Sequence, residues 1–172
     1  DGSKAVVPND DDTGLYFSGN EKHFAASVPA AARGHRVAGV GMTGIDHLAE
    51  HLSVQDYQVD GHSGFQAGKG GSVVCCADVP LTWRPGLTVR VTWNVTNWRD
   101  RTSEEKSAVV SVDRYDEIGD MHVHFLADGS VRVLLSNYAP WGSDYPGPRD
   151  IPQKKPWKKY PWPSGIDEQA AQ

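Results

Sequence analysis

Leu87, Val89, Val91 and Trp93 alternate with Thr88, Arg90, Thr92 and Asn94, the period-two pattern of a half-buried strand. Met121, Val123 and Phe125 alternate in the same way with His122 and His124, and Val131, Val133 and Leu135 continue the pattern beyond Asp128-Gly129. An Asp-Gly pair between two alternating runs predicts a tight hairpin. Its apolar positions face a core, which sets His122 and His124 on the opposite, solvent-facing side. Val37 to Met42 reads as a strand with glycine interruptions that mark close backbone approach. Ser53 to Asp60 is a further strand closed by Asp60-Gly61, Ser72 to Val79 a buried one, and Ala108 to Tyr115 another. Residues 96–107 are polar and read as an exposed loop holding one aromatic, Trp98. Leu15-Tyr16-Phe17 allows a short strand, and Phe24 to Arg33 no more than a helical turn, because Pro29 breaks it. About five or six short strands, with turn signals roughly every 8–12 residues, predict an all-β fold. The expected architecture is an antiparallel β-sandwich or open barrel.

Two stretches fall outside this pattern. Residues 1–13 contain Asp10-Asp11-Asp12 and little that packs, and read as a flexible acidic leader. From Asn137 to Ser164 the chain holds seven prolines, Trp141, Tyr145, Trp157, Tyr160 and Trp162, and the lysines at 154, 155, 158 and 159. Proline at that density excludes helix interiors and central strands. The expected organisation is therefore a leader (1–13), one β domain (14–146) and an extended, basic, aromatic tail (147–172).

The composition is that of an ordinary globule, 38% apolar and 23% charged, with 18 glycines and 11 prolines suited to short elements and turns. A formal charge of −5 argues against a nucleic-acid partner, which requires a basic field. The first residue is Asp1, as in a processed or truncated product. The only two cysteines are neighbours, Cys75 and Cys76. Consecutive α-carbons lie about 3.8 Å apart, whereas a relaxed disulfide spans roughly 5.5–6 Å. The pair therefore reads as two small buried core side chains on opposite faces of a strand.

Candidate chemistry is sparse. His47-Leu48-Ala49-Glu50-His51 fits the H-x-x-E-H string of zinc peptidases. Two imidazoles four apart on a helix grip one zinc while the glutamate polarises water. The string here is short, follows Gly44 and gives way to a strand pattern, so coincidence is the stronger reading. Gly68-Lys69-Gly70-Gly71-Ser72 resembles a phosphate cradle, but it leads into a strand rather than a helix and reads as a turn. No nucleophile elbow is present and no carboxylate pair stands at a motif spacing. The expectation is a protein that is not an enzyme, with no cofactor and no metal. What remains is aromatic and basic surface. Trp98, Arg99, Arg101, Trp141, Tyr145, Trp157, Lys158, Tyr160 and Trp162 are the candidate partner-binding residues, because Trp, Tyr and Arg dominate protein interfaces. The alternative for the tail is that its rings tuck it onto the sandwich.

Four blocks occur in order. They are Gly70-Gly71-Ser72-x-x-Cys75-Cys76, then Pro80-Leu81-Thr82-Trp83-Arg84-Pro85-Gly86-Leu87-Thr88-Val89, then Tyr115-Asp116-Glu117-x-Gly119-Asp120-x-x-Val123-His124-Phe125 with Asp128-Gly129-x-Val131-x-Val133, and Ser136-Asn137-Tyr138. Across about residues 37–146 they resemble a group of small proteobacterial lipoproteins of unknown function, often encoded beside lipase effectors of the type VI secretion system. The resemblance implies an immunity protein: a periplasmic, lipid-anchored inhibitor whose partner is a cognate phospholipase effector. Its mechanism would be occlusion of the active site. The alternatives are a structural or lipid-surface module of the cell envelope, and a zinc-dependent hydrolase using His47, Glu50 and His51.

Overall fold

The structure is a computed structural model, and it describes residues 36–154. Nine strands occur among them: β1 (Val37–Asp46), β2 (Leu52–Val59), β3 (His62–Phe65), β4 (Ala67–Gly68), β5 (Val74–Pro80), β6 (Thr88–Asn97), β7 (Thr102–Ser111), β8 (Asp120–Phe125) and β9 (Val131–Ser136). They form two sheets that pack face to face as an all-β sandwich and do not close into a barrel. The first sheet runs β4-β1-β8-β9, with β5 on the same edge of β1 as β4; the second runs β3-β2-β6-β7. Most pairings are antiparallel, as expected, but β1 lies parallel to both β8 and β4. No described helix is long and apolar enough to cross a membrane.

The alternating residues lock the two sheets together. Val89, Val91 and Trp93 of β6 and Val54, Tyr57 and Val59 of β2 meet Met121, Val123 and Phe125 of β8 and Val133 and Leu135 of β9 in one buried cluster. Phe125 sits edge-on to Tyr57, ring centroids 5.5 Å apart, a favoured geometry for aromatic pairs. The turns follow their sequence signals. Asp60 and Gly61 both take positive φ between paired Val59 and His62, the geometry of a type I′ hairpin turn. Gly129 has φ 91° in the β8–β9 turn. Asp128 caps that turn by accepting from the Ser130 amide at 2.9 Å. Trp83-Arg84-Pro85-Gly86 is a turn closed by the Leu87 amide on the Arg84 carbonyl, and the Trp83 indole donates to the Val112 carbonyl at 2.9 Å.

Two expectations are corrected. Residues 96–107 are mostly strand: β6 continues to Asn97, and β7 pairs with it residue for residue from Thr102. The polar run misleads because β7 is an edge strand with little burial on either face, so pairing holds it extended where apolar alternation is lacking. The cysteines are also not buried core thiols. Cys75 is exposed, Cys76 is half-buried, and they are joined as a vicinal disulfide across a cis peptide bond, with α-carbons 3.0 Å apart. The expectation assumed the usual spacing of about 3.8 Å between neighbouring α-carbons, which this pair does not have.

Candidate functional site

The outer face of the first sheet carries the least expected feature. Thr43 and Ile45 of β1, His122 and His124 of β8 and Leu134 and Ser136 of β9 point away from the sandwich core, and all are buried. His122 is 4% exposed and His124 0%, which corrects the expectation of a solvent-facing pair. Residues 137–154 fold back across this face and cover it, and are called the strap below. The strap begins with two tight turns, Gly142 amide to Ala139 carbonyl and Tyr145 amide to Gly142 carbonyl. Pro140 then packs on Gly70, where a Cβ would lie 2.7 Å from the proline Cγ. Gly70 also has φ 86°, so no side chain fits this junction without strain. Gly147 lies close over Leu134 and the Tyr145 ring. At the far end Lys154 reaches the buried Asp46 carboxylate at 2.6 Å and also donates to the Leu52 carbonyl. Lys69 donates to the Gln153 side-chain oxygen at 2.5 Å. Pro146, Pro148 and Pro152 lack N–H groups, which suits a segment that docks by side chains rather than by a ladder.

Beneath the strap runs a chain of four side chains. His47 Nδ1 lies 3.1 Å from the Asp150 carbonyl, and His47 Nε2 lies 2.8 Å from His124 Nδ1. His124 Nε2 lies 2.6 Å from the Tyr145 hydroxyl, which lies 2.8 Å from His122 Nδ1. A carbonyl only accepts, and a neutral imidazole has one donor and one acceptor. With every ring neutral the carbonyl therefore sets the direction of the whole chain. His47 Nδ1–H donates to Asp150, His124 Nδ1–H donates to His47, the Tyr145 hydroxyl donates to His124, and His122 Nδ1–H donates to Tyr145. Each hydrogen bond then holds one proton, and all three rings carry it on Nδ1.

Burial favours the neutral forms. It holds His122 down at about 4, against an Asp120 carboxylate that pulls the other way. It holds His124 down at about 3, helped by His47, His122 and Arg132. Burial also pushes the Tyr145 phenol above its ordinary range, and raises Asp46 despite Lys154.

The strap places its large rings on opposite sides. Tyr145, expected at a partner interface, is 5% exposed and faces inward, because its hydroxyl is the link between His122 and His124. Trp141 is 65% exposed and Tyr138, which the sequence did not single out for binding, 56%. Trp98, Arg99 and Arg101 gather at the β6–β7 turn. The Trp98 indole donates to Ser53 Oγ at 2.8 Å, its amide donates to the His51 carbonyl, and Arg99 lies 3.0 Å from His51 Nδ1. Arg101 is exposed at positive φ. Trp157, Lys158, Tyr160 and Trp162 lie outside the described residues, as do the acidic leader and the segments around Tyr16 and Phe24.

The H-x-x-E-H string is not helical. It occupies the connection between β1 and β2, and its histidines turn to different partners, His47 to His124 and His51 to Arg99. No group of three or more His, Cys, Asp or Glu among the described residues is arranged to hold a metal. The glycine run 68–72 leads into β5, as its sequence implies, and lines an open cleft of about 800 Å³ with Phe65 and Val73.

A family model described as protein of unknown function (DUF3304) matches residues 48–133, half of the chain. The chain belongs to this family. No curated protein and no solved structure matches it. The DUF3304 match takes in β2 to β8 and the start of β9. His122 and His124 lie inside it; His47, Tyr145 and the strap lie outside.

Proposed function

We propose that this DUF3304 protein is an immunity protein: a periplasmic, envelope-anchored, non-catalytic inhibitor that binds a phospholipase effector of type VI secretion and covers the way into its active site. One observation carries the reading as a binding protein: Trp141 and Tyr138 are held out to solvent on a segment that is itself pinned by buried hydrogen bonds and an ion pair. Interface energy concentrates in a few aromatic anchors, and anchors on a pre-ordered segment lose less entropy on binding. Trp98, Arg99 and Arg101 supply a second aromatic and basic cluster, at the β6–β7 turn. Support for a phospholipase as the partner comes from the resemblance of the four sequence blocks.

The test is capture of the product of the neighbouring gene, followed by a lipase assay of it with and without the protein. A stoichiometric complex that silences the lipase is expected. Trp141→Ala should weaken the complex by about 2 kcal/mol, roughly 30-fold in Kd, with the fold intact. Full lipase activity in the presence of excess protein overturns the reading.

A further inference from the structure

The strap's ties to the rest of the domain include Pro140 on Gly70, Lys154 on Asp46, Lys69 on Gln153 and, in the middle, the histidine–tyrosine chain. The middle tie is built from titratable rings whose hydrogen bonds depend on how many protons they hold. We propose that the strap is a proton-operated latch, docked when His122 and His124 are neutral and released when both take up protons.

A proton added to His124 turns the far half of the chain around. On His124 it must sit on Nε2, facing the Tyr145 hydroxyl 2.6 Å away. The hydroxyl must then swing its own hydrogen toward His122 Nδ1, which already carries one, so His122 must move its proton to Nε2. A second proton, on His122, leaves the hydroxyl between two N–H donors with no acceptor for its own hydrogen. Each step also places an imidazolium in a buried layer, which is unfavourable without a paired anion.

Among the described residues, the charges around the chain do not supply that anion for His124. Asp120 on β8 favours a charged His122. Arg132 on β9 opposes charge on His124, and the Asp113 carboxylate beside it is committed to Arg132 at 2.7 Å. On the strap, Asp150 lies 3.6 Å from His47 Nδ1 and is itself exposed. On the loop before β5, Lys69 is bonded to Gln153. Asp46 titrates in the opposite sense: burial raises its docked pKa, so acid through this group favours the docked form.

With the strap lifted, His122 and His124 meet water and take up protons near the ordinary histidine value of about 6.5. Docked, they resist until about 4 and about 3. Protons therefore favour the lifted form at every pH below about 6.5, by up to about tenfold per pH unit for each ring. The latch concerns the strap alone and stands or falls independently of any partner.

Two measurements on the full chain test it. Hydrogen exchange of strap peptides, corrected for the intrinsic rate, should lose at least tenfold protection between pH 7 and 4.5, while β2 and β6 peptides keep theirs. A variant carrying His122→Asn and His124→Gln should hold its strap protection across that range. The Gln amide both donates to His47 and accepts from Tyr145, the Asn amide donates to Tyr145, and neither titrates. Strap protection that stays flat in the wild type, or falls equally in the variant, overturns the proposal. Should the variant fail to fold, long-range 1H–15N spectra of the wild type decide it. Neutral His122 and His124 at pH 7, with strap and ring signals titrating together below it, are expected; ring signals that titrate while strap signals stay fixed overturn it.

Discussion

Tyr57 shows how closely single residues are fitted. Its ring is fully buried between two strand glycines: a Cβ would lie 2.7 Å from the ring at Gly44 and 2.0 Å at Gly64. Gly64→Ala should therefore cost about 3 kcal/mol in denaturant unfolding, through overpacking that the ring cannot relieve. Gly68→Ala, with no atom within 4 Å and ordinary φ, should stay within about 0.5 kcal/mol. At this scale the sequence was partly legible. Glycine within Val37 to Met42 announced close approach, and Gly41 is indeed shut in by Val73 and the Asp120 carboxylate. Tyr145 was legible only as an aromatic in a proline-rich stretch. Nothing local to it says that its hydroxyl meets two histidines more than twenty positions earlier.

Among the elements, the β8–β9 hairpin was readable because turn chemistry and alternation agree in both arms. β7 was readable only at its end, where Ala108 to Ser111 fall in a predicted strand; its polar start was not, because an edge strand needs no apolar face. The parallel placement of β1 against β8 was not either, since nothing in residues 37–46 encodes which strand lies beside them. His122 and His124 were put on the correct face and given the wrong surroundings. Alternation reports a face, not what covers it, and the cover here is an irregular segment. That segment leans on its last described residue. Lys154→Met leaves the buried Asp46 carboxylate without its cation, and should cost about 3 kcal/mol. Asp46→Asn in the same chain should restore much of that, because the amide oxygen still accepts from the Leu48 amide, now 2.8 Å from Asp46 Oδ1. A double-mutant cycle by urea denaturation reads the coupling.

For the molecule as a whole, two buried neutral histidines set the response to acid. Their folded pKa values lie below the unfolded value of about 6.5. The stability they allow is complete above that value and is lost as pH falls, through about 4 for His122 and about 3 for His124. Urea midpoints should fall from pH 7 to pH 4 by an amount equivalent to up to about 1.4 kcal/mol per pH unit for each ring, and less in the His122→Asn, His124→Gln variant. In the second sheet, β7 has ten residues paired on one side only among the described residues. An unsatisfied rim of that length is a template for another chain. Glu104, Glu105 and Lys106 stand on it, and strands carrying charge stack poorly on their own kind. Replacing all three with threonine should let this rim seed fibres, visible as thioflavin-positive ribbons, so three polar-tipped side chains in the least buried described strand guard the whole population against itself.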